Sequence, residues 1–392
     1  MAIKKSIESI PVGPLTIVAL SGSKKLGDTV DAYISEWRRD RIQSKESPIT
    51  FKGYVKDTYL LDYDNPRFGT GESKCALKDS VRGADLFIID DVTNYSVEYT
   101  VCGRKNHKSP DDHYADIKRV IAACSGKAHR ITVLMPFLYE SRQHRRTTRE
   151  SMDCAVMLQE LVNMGVDNIL TFDAHDPRVN NAIPLSGFES IMPTYQFIKN
   201  LLKNVDDLKI DADNLMVISP DEGAMGRVVY FANVLGINVG MFYKRRDYTK
   251  VVNGRNPIVA HEYLGESVEG KDVLIIDDMI SSGESLLDVA KQLKKRKAKR
   301  VFAACTFGLF TNGLELFDKA YEDGLIYRVL TTNCIYQTPE LLEREWYIDV
   351  DIAKYTALFI DRLNHDSSIS DLLDPAEKIN NRVNEYNKKH NN

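Results

Sequence analysis

Residues 273–287 read VLIIDDMISSGESLL: an apolar run, two adjacent acids, a loop of small residues and the first turn of a helix. The apolar run lacks the two-residue alternation of a strand with one solvated face. It therefore predicts a strand that is buried on both faces of a parallel sheet. Ligands of open parallel sheets bind at the carboxyl ends of the strands, where loops and helix N-termini converge. The acids and the small-residue loop thus mark a candidate binding site.

The small-residue loop supplies backbone N–H groups and hydroxyls at a helix N-terminus, which suits a phosphate. Asp277 and Asp278 repel phosphate but suit the hydroxyls of a sugar, or a Mg²⁺ ion beside it. This pattern is typical of a sugar phosphate held at both ends. A strand followed by an N-capped helix is the simpler alternative, but it leaves two carboxylates unexplained. The loop residues of this candidate site are Ser281, Ser282, Gly283 and Ser285.

Similar apolar runs alternate with helix-length amphipathic segments along the chain, which predicts an α/β fold. Most of the runs lack two-residue alternation, so we expect mainly parallel sheets that helices cover on both faces. The other runs lie at residues 15–20, 86–90, 131–135, 169–173, 215–219, 239–242 and 301–306.

A single sheet rarely serves so long a chain, and the predicted strands separate into two runs near residues 188–195, so we expect two tandem domains. The first covers residues 12–190 and the second covers residues 191–350, followed by a C-terminal helix and polar tail over 351–392. Residues 38–66 and 94–112 are polar and irregular, and we expect them to be surface insertions.

The composition excludes several classes of protein. The chain has 392 residues, with 52 Lys and Arg against 56 Asp and Glu, and a net charge of −4. This balance gives no general attraction to nucleic acid or to an anionic membrane, so neither is expected as a partner. No apolar run approaches the ~20 residues of a membrane-spanning helix, and no signal peptide is recognisable. The six cysteines form no C-x-x-C pair, which argues against a zinc ribbon. We expect a soluble cytoplasmic protein.

Three further strand ends carry charged residues. His175 is flanked by two aspartates and is suited to ligate a metal or orient a phosphate, although a lone histidine there is more commonly a cap or core residue. Asp221 is either a helix N-cap or a Mg²⁺ ligand. Lys244 and Arg246 lead into a polar stretch, and a cationic loop of this kind can close on a polyphosphate. A solvated basic turn is the alternative.

Two segments suit a nucleotide. Arg142 and Gln143 lie in SRQHRR (141–146), where guanidinium groups can stack on a purine or bind phosphate oxygens in pairs. Phe68 and Glu72 lie in RFGTGE (67–72), which combines an aromatic platform with glycines and an acid and could clamp an adenine. A charged turn and an ordinary β-turn are the alternatives. The sequence has no Walker loop and no dinucleotide fingerprint, so a nucleotide site must be of another type.

Taken in order, these segments resemble the ribose-phosphate pyrophosphokinases over about residues 15–370. The resemblance implies two tandem phosphoribosyltransferase-type domains, ATP on the first, ribose 5-phosphate on the second, and homodimers or homohexamers. It implies Mg²⁺-dependent transfer of the diphosphoryl group of ATP to the 1-hydroxyl of ribose 5-phosphate, giving phosphoribosyl pyrophosphate and AMP. The matching segments are RFGTGES (67–73), SVRGADLFII (80–89), SRQHRR (141–146), FDAHD (172–176), SPDEG (219–223), YKRR (243–246) and IIDDMISSGES (275–285).

The resemblance also implies roles for individual residues. The implied catalytic residues are Lys244, Arg246 and His175. The implied Mg²⁺ ligands are His175 and Asp221. The implied ATP-binding residues are Phe68, Glu72, Arg142 and Gln143. The implied residues for ribose 5-phosphate are Asp277, Asp278, Ser281, Ser282, Gly283 and Ser285. The implied allosteric phosphate site consists of Ser80 and Arg82.

Two alternatives stay open. The Ser-Ser-Gly-Glu-Ser loop is also typical of phosphoribosyltransferases, which consume phosphoribosyl pyrophosphate, although no hood for recognising a base is identifiable. The chain could instead be a catalytically silent, synthetase-associated subunit. Such a subunit should have lost catalytic residues, whereas this chain retains all of those named above.

Overall fold

The computed structural model describes residues 9–43, 53–246 and 258–390, except for the side chains of residues 244–246 and 258–261. The chain forms two compact units. The first contains the residues up to Met192 together with Asn333–Tyr336 and Asp351–Asp374. The second contains Pro193–Thr332, Gln337–Val350 and the residues from Pro375 onward.

The strands and helices of the described residues are numbered in chain order. The strands are β1 Leu15–Ala19, β2 Tyr63–Asp64, β3 Ala76–Leu77, β4 Asp85–Ile89, β5 Glu98–Val101, β6 Arg104–His107, β7 Arg130–Leu134, β8 Asn168–Phe172, β9 Gly187–Ile191, β10 Leu215–Ser219, β11 Asn238–Arg246, β12 Ile258–Leu264, β13 Asp272–Ile280, β14 Val301–Gly308, β15 Arg328–Thr332 and β16 Tyr347–Val350. The helices are α1 Lys24–Gln43, α2 Pro110–Cys124, α3 Asp153–Asn163, α4 Thr194–Asn204, α5 Met225–Leu235, α6 Glu284–Lys295, α7 Glu315–Glu322, α8 Pro339–Leu342, α9 Ala353–Asn364, α10 Ser370–Leu373 and α11 Ala376–His390.

The main sheet of the first unit has the strand order β1-β4-β7-β8-β9, and each neighbouring pair is parallel. All positions of β4 are buried, as expected for a strand covered on both faces. Because β7 and β8 are neighbours, the segments that follow them leave the sheet at the same edge. This adjacency brings the segment 141–146 close to His175.

The main sheet of the second unit has the order β12-β11-β10-β13-β14-β15-β16. Its pairs are parallel except for β12, which is antiparallel to β11. Strand β13 is buried on both faces: Val273 and Ile275 belong to one apolar cluster, and Leu274 and Ile276 belong to the other. The prediction of two mainly parallel α/β sheets is therefore confirmed.

Three segments differ from the expectation. Residues 38–66 are not wholly an irregular surface insertion, because α1 continues to Gln43 and Arg38 is fully buried. Residues 94–112 contain the β5–β6 hairpin and the start of α2. The tail is a packed helix, α11, whose Ile379, Val383 and Tyr386 are buried against the second unit. Their spacing of four and three residues is the helical period, which the many polar neighbours obscure in the sequence.

No helix in the described ranges is both long and apolar enough to cross a membrane.

Candidate active site

Three aspartates lie close together at the carboxyl edge of the second sheet. Asp277 and Asp278 come from β13, and Asp221 follows the neighbouring strand β10. The backbone N–H of Asp278 donates to Oδ1 of Asp277 at 2.9 Å. Burial raises the pKa of Asp277 well above its ordinary value, and the nearby carboxylates of Asp278 and Asp221 raise it further. The fold thus holds negative charges together where a cation or a hydroxyl-rich ligand would relieve their repulsion.

Asp221 does not cap a helix. Helix α5 begins at Met225, with Ala224 as its N-cap and no side-chain capping bond. Oδ1 of Asp221 instead accepts the N–H of Gly223 at 2.9 Å. The capping alternative considered from the sequence is therefore wrong. The sequence also did not single out Arg227, whose Nη2 lies 4.0 Å from Oδ2 of Asp278.

The loop after β13 is shaped around Gly283. This residue is the N-cap of α6 and has a φ of 84°, a left-handed conformation that favours glycine. A Cβ at this position would collide with the ring of Phe317. The N-cap residue Gly283 makes no side-chain capping bond, and Oγ of Ser282 accepts the N–H of Glu284 only at a long 3.5 Å. The loop brings backbone N–H groups to a helix N-terminus, the environment expected for a phosphate.

The carboxylate oxygens of Asp221, Asp277 and Asp278 are of the donor type that Mg²⁺ accepts. Among the described residues, no group of three or more His, Cys, Asp or Glu is arranged to hold a metal ion. Mg²⁺ in phosphate-transferring enzymes usually keeps several waters and takes only one or two carboxylates, with substrate phosphates completing the shell. One or two of the three carboxylates would suffice for such a site. His175 belongs to the first unit.

The carboxyl edge of the first sheet brings a second set of residues together. The rings of His144 and His175 lie 5.3 Å apart between centroids, and Nε2 of His144 lies 3.6 Å from Oδ2 of Asp176. Hydrogen bonds from the guanidinium and N–H of Arg178 lower the pKa of Asp176 to about 2, so this carboxylate is ionised at neutral pH. Nδ1 of His144 is buried without a hydrogen-bond partner in the described part of the chain.

This edge borders a cavity of about 860 Å³. Its lining includes His144, Arg145, Arg146, Asp176 and Arg178. A volume of this size is within the range of small-molecule and cofactor sites. The sequence did not identify the pairing of His144 with Asp176, because it depends on the adjacency of β7 and β8. It also did not single out Arg178, although Arg178 pairs with Asp176 only two residues away.

Asp173, at the end of β8, has a φ of 38° and is buried. A non-glycine residue in the left-handed region costs free energy, and such strain concentrates at functional sites. Its N–H donates to the carbonyl oxygen of Ile191 at 3.0 Å, and the next N–H, of Ala174, donates to Oγ of Ser190 at 2.9 Å. Both acceptors, Ile191 and Ser190, belong to β9, so the two bonds fix the turn that carries His175.

The remaining predicted site residues are distributed as follows. Arg142 is exposed and Gln143 is half-buried, with Nε2 donating to the carbonyl oxygen of Ser151 at 2.8 Å. Phe68 and Glu72 lie on an exposed hairpin loop. None of these four residues lines the cavity described above.

The predicted allosteric site lies on the surface, and the predicted cationic segment lies partly outside the described residues. Ser80 and Arg82 are exposed in a turn before β4. Strand β11 extends through Lys244 and Arg246 instead of ending near residue 242, and β12 pairs with it. The side chains of Lys244 and Arg246, and the predicted loop at 247–257, lie outside the described residues.

Comparison with known proteins supports this organisation. Residues 15–165 match the sequence model of the N-terminal domain of ribose phosphate pyrophosphokinase, and residues 186–339 match that of the phosphoribosyl transferase domain. The chain is 30% identical over 315 residues to a ribose-phosphate pyrophosphokinase of Vibrio cholerae, covering 79% of this chain and 90% of that protein. The chain belongs to the ribose-phosphate pyrophosphokinase family.

A second relative and a solved structure agree with this assignment. The ribose-phosphate pyrophosphokinase of Shewanella oneidensis is 31% identical over 310 residues, covering 78% of this chain and 88% of that protein. The phosphoribosylpyrophosphate synthetase of Mycobacterium smegmatis superimposes with a TM-score of 0.70 at 20% identity, covering 90% of this chain and 99% of that one, which supports the fold. The prediction of an enzyme of this family is confirmed.

Proposed function

We propose that the enzyme transfers the diphosphoryl group of ATP to the 1-hydroxyl of ribose 5-phosphate in a Mg²⁺-dependent reaction that gives phosphoribosyl pyrophosphate and AMP. The observation that carries the proposal is the edge of the second sheet, where the carboxylates of Asp277 and Asp278 lead directly into the loop closed by Gly283. This edge offers acceptors for sugar hydroxyls and donors for a phosphate in one short segment.

Ribose 5-phosphate would lie along this segment. The backbone N–H groups of residues 281–285 at the start of α6 would donate to the 5-phosphate, with the hydroxyls of Ser281, Ser282 and Ser285 beside them. Asp277 and Asp278 would accept hydrogen bonds from the ribose hydroxyls and so orient the ring. This orientation holds the 1-hydroxyl for attack on the β-phosphorus of ATP, with AMP as the leaving group.

ATP would bind through residues of the first unit. Phe68 would stack on the adenine and Glu72 would accept from its amino group, while Arg142 and Gln143 would hold the nucleotide. His175 and Asp221 are the candidate ligands of Mg²⁺ that the family's motifs imply, and Mg²⁺ supplies positive charge against the phosphates when it is bound.

Lys244 and Arg246 would stabilise the charge that develops on the diphosphoryl group in the transition state. Phosphoryl transfer of this kind needs little covalent catalysis, so positioning and cationic groups lower most of the barrier. We also propose assembly as a homodimer or homohexamer in the cytoplasm, and an allosteric phosphate site at Ser80 and Arg82. These assignments rest on the family's motifs.

The decisive experiment is an assay of the purified protein with ATP, ribose 5-phosphate and Mg²⁺. The expected result is formation of AMP and phosphoribosyl pyrophosphate in equal amounts, only when all three are present, and its abolition by EDTA. A kinase that transfers one phosphoryl group would release ADP instead. If AMP does not form, with or without added inorganic phosphate, the proposal is wrong. Consumption of phosphoribosyl pyrophosphate would then be tested.

A Lys244→Ala variant tests the role of the cationic segment. We expect kcat to fall by about 10²- to 10⁴-fold with little change in fold, because the lysine acts mainly in the transition state. Lys291→Ala removes a lysine that is exposed on α6 and, among the described residues, pairs only with Asp288 at 3.5 Å. We expect this variant to retain the wild-type kcat. Near-normal kcat in the Lys244→Ala variant would contradict the assignment.

A further inference from the structure

The segment RFGTGE forms a tight hairpin loop. The N–H of Phe68 donates to the carbonyl oxygen of Glu72, and the N–H of Gly71 donates to that of Phe68, both at 2.8 Å. Gly71 closes the loop with a φ of 94°. Phe68 itself is about half exposed. The loop therefore projects an aromatic ring and a carboxylate from a short turn that has no apolar core of its own.

A second hairpin, β5–β6, packs against this loop. The N–H of Cys102, at the tip of the hairpin, donates to the carbonyl oxygen of Gly69 at 2.8 Å. Val101 lies so close to Gly71 that a Cβ there would be 2.5 Å from Cγ2 of the valine. Tyr99 and Val101 are the half-buried residues of β5, while Glu98 and Thr100 between them are exposed. One face of the hairpin is thus directed at the loop.

The side chain of Arg67 contacts both hairpins. Its guanidinium donates to the carbonyl oxygen of Gly71 at 2.9 Å and lies 4.4 Å from the centroid of the Tyr99 ring. The side chain is only 10% exposed. Its Nε and Nη2 have no hydrogen-bond partner within the described residues. The aromatic face and nearby carboxylates therefore stabilise this buried charge.

Asp112 connects Arg67 and Tyr99 to helix α2. It accepts from Nη1 of Arg67 at 3.0 Å and from the hydroxyl of Tyr99 at 3.2 Å. It also completes a capping box with Ser109 at the start of α2. Burial alone would raise the pKa of Asp112, but the hydrogen bond from the Ser109 N–H and the charge of Arg67 hold it below its ordinary value.

We infer that the β5–β6 hairpin is a positioning element for the adenine-binding loop, and that Tyr99 is the positioning residue through which it sets the affinity for ATP. This inference rests on the proposed ATP-binding role of Phe68 and Glu72. A short surface loop loses conformational entropy when it orders around a ligand, and that cost weakens binding. Because the hairpin holds the loop in place beforehand, it removes part of this cost without contacting the reacting atoms.

The test compares Tyr99→Ala with Tyr99→Phe and Lys105→Ala. Tyr99→Ala removes the ring under Arg67 and the hydroxyl that donates to Asp112, while leaving the capping box of α2. Tyr99→Phe removes only the hydroxyl. Lys105 is on the same hairpin but is largely exposed, and within the described part of the chain it pairs only with Glu98, at 2.9 Å. It is the matched control for a change in the hairpin that does not touch the loop.

For Tyr99→Ala we expect the KM for ATP to rise about 5- to 20-fold. The variant loses the aromatic contact to the buried Arg67 side chain, and residues 67–72 become less ordered before ATP binds. The kcat at saturating ATP and the KM for ribose 5-phosphate should stay within about threefold of wild type. Hydrogen exchange of peptides covering residues 67–72 should accelerate in the free protein. Tyr99→Phe should give a smaller increase in the KM for ATP, and Lys105→Ala none.

Two results would overturn the inference in distinguishable ways. If exchange in residues 67–72 is unchanged in Tyr99→Ala, the hairpin does not position the loop, whatever the reaction is. If exchange accelerates but the KM for ATP stays at the wild-type value, the hairpin orders a loop that does not bind ATP. Failure of the proposed function itself would appear earlier, as absence of AMP formation by the wild-type protein.

Discussion

Asp277 illustrates how a binding residue can lower the stability of the free protein. Its carboxylate is half-buried beside two others, and its pKa is raised by burial and by those neighbours. Because the folded-state pKa lies above the ordinary value, the charged form destabilises the fold, and this effect appears as the pH rises through the folded-state pKa. Strain of this kind is common where a protein is built to bind a ligand.

We therefore expect Asp277→Asn to increase the free energy of unfolding by about 0.5–2 kcal/mol at pH 7–8 in the presence of EDTA. The gain should shrink as the pH is lowered and the wild-type carboxyl becomes protonated. The same variant should raise the KM for ribose 5-phosphate about 10- to 100-fold, since a hydrogen bond to a charged acceptor is lost. Thermal unfolding and kinetics check the two effects separately.

Asp288→Asn is the control for Asp277→Asn, because Asp288 is exposed on α6 and forms a surface ion pair with Lys291. It should change the free energy of unfolding by less than about 0.5 kcal/mol at any pH. A wild-type melting temperature higher than that of Asp277→Asn at pH 8 would show that the Asp277 carboxylate stabilises the free protein.

Gly283 carries two separate constraints, a left-handed backbone and close approach of the Phe317 ring. Gly283→Ala should therefore cost about 2–5 kcal/mol, from backbone strain and overpacking together. Gly270 in the same unit also has a positive φ, but open space surrounds its Cα. Gly270→Ala should cost only about 1 kcal/mol. Equal losses in urea unfolding of the two variants would contradict the packing argument.

At the residue scale, the sequence predicts those site residues that lie within one segment. The acids 277 and 278 and the loop after them are recognisable because a buried strand leads directly into them. The contact between His144 and Asp176 is different, since it depends on β7 and β8 being neighbours in the sheet. Strand order is a tertiary property, and no single segment specifies it.

At the element scale, apolar runs located the buried strands, but polar residues within elements misplaced several boundaries. Strand β13 continues through both acids to Ile280 because its pairing with β14 continues, with Met279 opposite Phe307. Helix α1 continues through the charged residues near Arg38 because a distant carboxylate pairs with that side chain. In both cases tertiary contacts override the local pattern.

The turn of the β5–β6 hairpin offers a test at this scale. Cys102 and Gly103 connect the strands, and both have positive φ, 48° and 75°. A two-residue hairpin turn with this geometry is of type I′, for which Asn-Gly is the preferred pair. Cys102→Asn should therefore leave the N–H bond to Gly69 intact and raise the free energy of unfolding by about 0.3–1 kcal/mol.

Urea unfolding of the reduced protein measures the effect of Cys102→Asn. Cys102→Val is the opposing variant, because a β-branched residue is strongly disfavoured at positive φ. It should lower the free energy of unfolding. If the asparagine variant is less stable than the valine variant, the assignment of the turn is wrong.

At the scale of the whole molecule, a buried polar network attaches C-terminal residues to the first unit. Nε of Arg38 donates to Oδ1 of Asp361 at 3.1 Å, and its Nη2 donates to Oδ1 of Asn364 at 2.7 Å. The guanidinium lies 4.8 Å from the Tyr54 ring. Arg41 also donates to Asp361. The network joins α1 to α9 across more than three hundred residues, so the first unit is complete only when the C-terminal segment is present.

Breaking this network should unfold the first unit selectively. Asp361 is fully buried; burial would raise its pKa, but the charges of Arg38 and Arg41 lower it below the ordinary value. Its contribution to stability is therefore present above the ordinary carboxyl pKa and is lost as the pH falls through the folded-state pKa. Asp361→Asn leaves the buried guanidinium of Arg38 and the half-buried one of Arg41 without their counter-charge, and should cost about 3–5 kcal/mol at pH 7.

The two tryptophans make the measurement specific, since Trp37 lies on α1 in the first unit and Trp346 is buried in the second. The Trp37 transition is the part of the fluorescence change in urea that the wild-type protein shows and a Trp37→Phe variant lacks. In Asp361→Asn this transition should move to a lower urea concentration. The transition of Trp346 should stay in place. Glu269→Gln, which breaks an exposed pair with Lys297, should shift neither by more than about 1 kcal/mol. A shift of the Trp346 transition as large as that of Trp37 would mean that the two units unfold as one.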